Sequence, residues 1–151
     1  MTDTLRGLIE RLEKLEGPST EANADILEAT GGCAHRETEY YCIEDGNDYD
    51  SGFTCKRCHE DTYGQSVPPY TASLDAAVAL VERVLPGWRV ENLCEWDADV
   101  LRQRGPWTCD LMRRGKDFAD HFPAKCAHAP TPAIALLIAT LKALQENSNE
   151  R

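Results

Sequence analysis

The spacing of apolar positions divides the chain into three stretches of different character. Leu5, Leu8, Ile9, Leu12 and Leu15 recur at three- and four-residue intervals, which predicts an amphipathic helix. Gly17-Pro18 stops it, because Gly suits a left-handed cap and Pro cannot continue. Ser19 or Thr20 then caps a second helix, with Glu21 in its first turn and Ala22, Ile26 and Leu27 on its apolar face. Gly31-Gly32 ends it. A helix this short is marginal alone in water, so the pair is expected to dock on the rest of the chain or on a partner.

The third stretch reads helix, three strands, helix. Ser73 or Thr71 caps a helix running through Leu74, Ala77, Val78, Leu80, Val81, Val84 and Leu85, and Pro86-Gly87 ends it. Trp88, Val90, Asn92, Cys94 and Trp96 alternate with polar neighbours and predict a half-buried strand. Trp107, Cys109 and Leu111 predict a second strand after the Gly105-Pro106 turn, and Phe118 to Phe122 a third. Thr131-Pro132 opens the last helix, whose apolar face is Ile134, Leu137, Ile138, Leu141 and Leu144. The expected architecture is α+β: a layered αβββα domain with an antiparallel sheet at residues 68–151, preceded by a helical hairpin at 1–31 and a small zinc-ribbon-like segment at 32–67.

That middle segment carries the candidate chemistry. Cys33-Ala34-His35 precedes Cys55-Lys56-Arg57-Cys58 by a 19-residue loop, Arg36 to Thr54, too polar to fold on its own. Two residues between Cys55 and Cys58 let one turn aim both thiolates at a single ion. Cys33 and His35 complete a tetrahedron of three sulfurs and one nitrogen, a set that suits structural Zn²⁺. Cys42 and His59 compete for the same places. Cys94, Cys109 and Cys126 read as small buried hydrophobes on strands.

Composition narrows the options. The 151 residues hold 16 Lys+Arg against 26 Asp+Glu, a net charge of −10, and seven cysteines. Nine of those ten charges fall before residue 65. The acidity argues against nucleic-acid binding, which needs a basic stripe. No apolar run is long enough for a transmembrane helix, and the opening lacks the pattern of a signal peptide, so a cytoplasmic chain with reduced cysteines is expected.

Three further readings stay open. His35-x-Glu37 with Cys55-x-x-Cys58 has the outline of a zinc deaminase, with Thr54 where that pattern has Pro, so a zinc-dependent nucleoside or nucleotide deaminase or hydrolase is one alternative. The αβββα order is also that of an RNA-binding module, although its last helix offers only Lys142. Tyr70, Arg113, Arg114, His128 and Thr131 form a weak candidate site for a small phosphate-bearing, nucleotide-like ligand, near two helix starts and a run of basic residues that includes Arg102, Arg104 and Lys116. Plain helix capping is the favoured account of both helix starts.

Several stretches resemble small phage and prophage proteins. Leu12-Glu13-Lys14-Leu15-Glu16-Gly17-Pro18-Ser19 is similar to their opening. Pro69-Tyr70-Thr71-Ala72-Ser73-Leu74-Asp75-Ala76-Ala77, leading to Leu85-Pro86-Gly87-Trp88, resembles the start of the phage ABA sandwich domain, and Thr131-Pro132-Ala133-Ile134-Ala135-Leu136 its final helix. Asp50-Ser51-Gly52-Phe53-Thr54-Cys55 is similar to a cysteine-bearing segment found before that domain, with His59 here where relatives tend to have Gly. The resemblance implies an α/β/α-type layered fold and a phage or prophage origin, and with no catalytic motif in the chain the expectation is a non-enzymatic accessory protein acting in the host cytoplasm. Its expected partner is a host protein or a small nucleotide-like ligand, in a counter-defence role, with self-association into a homo-oligomer a further option.

Overall fold

The computed structural model describes residues 2–45, 48–95, 105–113 and 125–149. Within them the chain forms α1 (Thr2–Leu12), α2 (Thr20–Ala29), β1 (Thr38–Asp45), β2 (Asp48–Cys55), α3 (Leu74–Val84), β3 (Trp88–Glu95), β4 (Trp107–Arg113), β5 (Lys125–Ala129) and α4 (Pro132–Asn149). The class is α+β, with two small antiparallel sheets, β1-β2 and β3-β4-β5.

The helix boundaries follow their caps. Ser19 accepts from the Ala22 N–H, Ser73 from the Ala76 N–H and Thr131 from the Ile134 N–H. Each replaces an intrahelical bond that the first turn cannot make. At the other end of α2, Gly31 has φ +87°, and the N–H groups of Gly31 and Gly32 return to the carbonyls of Glu28 and Leu27. This is a Schellman closure, and only Gly enters its left-handed position without strain. It reverses the chain directly into Cys33.

Helix α4 sits at the centre. Every residue from Ile134 to Leu141 is 0 % exposed. One side packs on β4 and β5, and other sides pack on α1 and α3. The sequence pattern predicted a single apolar face. The run Ala133-Ile134-Ala135-Leu136-Leu137-Ile138-Ala139 is apolar all round, the signature of a helix enclosed on every side. Thr140, the polar residue within that stretch, gives its hydroxyl to the Leu136 carbonyl at 2.7 Å and so leaves no unmet donor.

The first two helices belong to the same core. Leu5, Leu8, Ile9 and Leu12 of α1 and Ile26 of α2 are buried in one cluster with α3, α4 and the larger sheet. Glu13 and Lys142 pair at 2.9 Å across the α1–α4 seam. A buried polar joint closes the other side: the Ser19 N–H donates to Thr71 Oγ1, and the Thr71 N–H donates to Asn23 Oδ1, both at 2.8 Å.

The larger sheet departs from simple alternation at two points. A bulge between Val90 and Asn92 inserts one residue into β3, so Trp88 and Leu93 both turn toward the core although their numbering has opposite parity. The strand beside β4 is Lys125–Ala129, whereas Phe118 to Phe122, expected as a strand, lies outside the described residues. In β5, Ala127 and Ala129 face α4, which places Cys126 on the opposite face, exposed. Of the three cysteines expected to be buried, Cys109 is fully so and Cys94 half so. Cys126 is not, because period two sends it away from the helix. Gly105 closes the start of β4 at φ +95°; a Cβ there would lie 2.3 Å from the Ala129 carbonyl carbon, so no larger residue fits.

The segment expected to be a loop, Arg36 to Thr54, is mostly β1 and β2. They pair in unbroken register from Thr38↔Cys55 to Asp45↔Asp48. Strand-forming Tyr40 and Phe53 stand opposite each other in the ladder, and Tyr41 lies over Gly52, which has no Cβ to meet it. The polar run Glu44 to Gly52 hid a pattern that Tyr40, Tyr41, Ile43 and Phe53 already carried.

Candidate metal centre

Cys33, His35, Cys55 and Cys58 converge on one point. Their four ligand atoms all lie within 4.8 Å of one another. Cys33 Sγ and Cys55 Sγ are 3.6 Å apart, and Cys58 Sγ is 3.5 Å from His35 Nδ1. The four residues form a possible metal-binding site, brought together across more than twenty residues of sequence.

Each ligand is held by local backbone geometry. Cys33 follows the Schellman closure of α2. His35 sits at φ +49°, a left-handed kink that turns the chain from the Cys33 side into β1. Cys55 is the last residue of β2. After it the chain makes a tight turn in which the His59 N–H returns to the Cys55 carbonyl at 2.8 Å. His59 occupies the left-handed region at φ +61°. Gly enters that region without strain, whereas this chain places a β-carbon there. The side chain of His59 is exposed and outside the four-residue cluster, as is that of Cys42, so neither joins the centre.

Residues beyond the turn lock it in place. The Cys55 N–H donates to the Glu60 carbonyl, the Thr62 N–H to the Phe53 carbonyl, and the Lys56 N–H to the Glu37 carbonyl, all at 2.8–3.0 Å. The stretch 60–62 thus runs beside the end of β2, with Thr54 bridging Asp61.

The electrostatics favour a thiolate at the buried position. The N–H groups of Cys58 and Arg57 point at Cys55 and, helped by His35 and Cys33, pull its thiol down to about 6 against the opposing effect of burial. At Cys58 the Glu60 N–H lowers the thiol's pKa, but burial and the Cys55 and Cys33 thiols together outweigh it and raise the net value. Three sulfurs this close cannot all ionise without a cation among them.

A charged network ties the centre to the helices. Arg36 pairs with Asp25 and, at 3.2 Å, with Glu28; Arg57 reaches Glu28 at 3.7 Å; Arg11 of α1 pairs with Asp25 at 2.6 Å. A cleft of about 290 Å³ opens between these groups, with Cys33, Cys55, Glu37 and Lys56 in its wall. Sequence reading did not find this network, since ion pairs between α2 and residues 36 and 57 leave no periodic signal.

The weaker ligand candidates occupy separate places. Tyr70 is buried in the core, with its N–H on the Pro68 carbonyl. Thr131 spends its hydroxyl as the cap of α4. His128 lies on β5 with Nδ1 3.0 Å from Thr108 Oγ1. Arg113 ends β4, exposed, and Arg114, Arg102, Arg104 and Lys116 lie outside the described residues. Among the described residues no helix is long and apolar enough to cross a membrane. Comparison with known proteins finds no matching family model, no matching curated protein and no matching solved structure.

Proposed function

We propose that the chain is a non-enzymatic binding protein in which Cys33, His35, Cys55 and Cys58 hold a structural zinc ion. The carrying observation is the size of the cluster. Zinc–sulfur bonds of about 2.3 Å and zinc–nitrogen bonds of about 2.0 Å in a tetrahedron give S···S edges of about 3.8 Å and S···N edges of about 3.6 Å. The 3.6 Å and 3.5 Å separations already present fit that shape. Three thiolates and an imidazole also select zinc over the oxygen-seeking divalent ions. Zinc here supplies closure of the hairpin, and with four side chains aimed at one point the chain itself fills every position a catalytic zinc keeps open.

Against the deaminase alternative, Cys33 as a fourth ligand would take the position that a catalytic zinc keeps for its water. The resemblance to the phage ABA sandwich domain favours a host protein as the partner, bound in the host cytoplasm in a counter-defence role. The acidic first half of the chain fits a partner with a basic surface.

The test is metal analysis of purified protein with its Cys33→Ser variant. The reading predicts one zinc per chain, and in the variant loss of both metal and ordered structure over residues 32–66. A variant that keeps its metal and its fold would point to a three-ligand catalytic zinc, and well under one metal per chain in the parent protein would remove the site.

A further inference from the structure

We propose that the larger sheet carries a second metal site, open and exchangeable, in which Cys126, His128 and Asp110 take zinc or a similar transition-metal ion; it does not depend on the structural zinc reading. Period two puts these residues together. Ala127 and Ala129 of β5 and Cys109 and Leu111 of β4 are buried on the α4 side, so Cys126, His128, Thr108 and Asp110 share the opposite face. The register sets Asp110 directly against Cys126 and Thr108 directly against His128.

Two of the ligands already stand at the right separation. Cys126 Sγ is 3.7 Å from His128 Nε2. A tetrahedral zinc imposes an S···N edge of about 3.6 Å. The other ring nitrogen, Nδ1, lies 3.0 Å from Thr108 Oγ1. With the Nδ1 proton on that hydroxyl, Nε2 keeps its lone pair for a metal and the ring is held toward Cys126. A hydrogen bond of this kind behind the ligating nitrogen is the usual support of a metal-bound histidine.

Asp110 brings the third ligand. Its carboxylate already acts on Cys126: partial burial and the hydrogen bond and charge of Asp110 raise the thiol's pKa, against the pull of Lys142. Opposed Cβ atoms in a ladder are about 5 Å apart, so side-chain rotation carries a carboxylate oxygen onto an ion shared by Cys126 and His128. Asn92 of β3 flanks that carboxylate, its Nδ2 3.5 Å from Oδ2.

The donor set chooses the ion. Sulfur and imidazole nitrogen favour zinc and its neighbours in the transition series over magnesium and calcium, which take oxygen. On binding, the thiol gives its proton to water and both anions face the cation. Three protein ligands leave a place for water, so this ion exchanges, whereas four side chains enclose one at Cys33, His35, Cys55 and Cys58.

The experiment gives the whole reduced protein one equivalent of Zn²⁺ and then titrates it with Co²⁺, read by the thiolate-to-cobalt absorption band and by NMR of the amides. The Zn²⁺ should shift residues 33–58, and the Co²⁺ should broaden residues 108–110 and 126–128. Cys126→Ser should abolish the band, and its exposed position lets the fold survive. Asp110→Asn should weaken Co²⁺ binding, and Thr108→Val, which keeps the shape and removes the hydroxyl, should weaken it about tenfold or more. Amides of residues 108–110 and 126–128 undisturbed by either ion, or a Cys126→Ser variant that binds Co²⁺ as the parent does, would overturn the inference. Amides of residues 33–58 undisturbed by either ion count against the structural zinc reading instead, and the two results are read separately in one spectrum.

Discussion

The α4 core and the β1–β2 hairpin are built by opposite means. From Ile134 to Leu141 the central helix is enclosed on every side, and removal of apolar surface from water holds it there. Among the described side chains of the hairpin Cys55 is the buried one, and Tyr40, Ile43 and Phe53 are all more than half exposed. Isolated two-stranded ribbons are marginal in water. What holds this one is a cluster of four side chains at its base and a charged network from Arg36 and Arg57 to Asp25 and Glu28. On the zinc reading, one chain therefore contains a region whose stability is spread over many small contacts and another whose stability is concentrated in four ligands. The first tolerates loss of a contact in proportion to its size, whereas the second is all or none.

Substitutions can break that contrast in decreasing order of effect. Cys55→Ser should have the largest consequence, because Cys55 joins β2 to the centre and is 1 % exposed. Metal binding and the ordered hairpin should be lost together, seen as loss of amide protection over residues 38–55, while the core unfolds as before. Leu137→Ala should do the reverse. It leaves a cavity in the core and should cost about 2–5 kcal/mol in denaturant unfolding with metal content unchanged. Thr71→Val is smaller. It keeps the shape but removes the oxygen that accepts the Ser19 N–H at 2.8 Å, and should cost about 1–3 kcal/mol. His59→Gly should be smallest and of opposite sign. It relieves a side chain held at φ +61° and should stabilise the knuckle by under about 1 kcal/mol, measured as slower loss of metal to a chelator.

The same contrast explains how much the sequence disclosed. Helix ends were legible to within a residue or two: Ser19 or Thr20, Ser73 or Thr71, and Thr131 as caps, and Gly31-Gly32 as the end of α2, with Ser19, Ser73 and Gly31 taking those places. The four cluster residues were legible because the Cys55-x-x-Cys58 turn and the Cys33-x-His35 pair carry their geometry in their spacing. The hairpin between them was hidden by its acidic turn region, since pairing of Tyr40 with Phe53 is a long-range match that local polarity obscures. The burial of α4 on all sides was understated because a one-face pattern was imposed on a run that has no polar face. Cys126 was misplaced for want of a register: its exposure follows only once Cys126 is set opposite Asp110. The ion pairs around Arg36 leave no mark in the sequence at all, because they depend on how α2 approaches the knuckle.

Cys109 offers an independent reading of the core. Burial pushes its thiol up to about 12, so it should resist alkylation at pH 8 until the core itself unfolds, in the metal-loaded and metal-stripped protein alike.

Hydrogen exchange before and after chelation tests the central claim most directly, since it watches both regions in one sample. The account predicts that stripping the metal removes protection from the amides of residues 38–55 and leaves those of residues 134–141 as slow as before. Protection of the hairpin that survives chelation, or loss of protection in α4 along with it, would contradict the account.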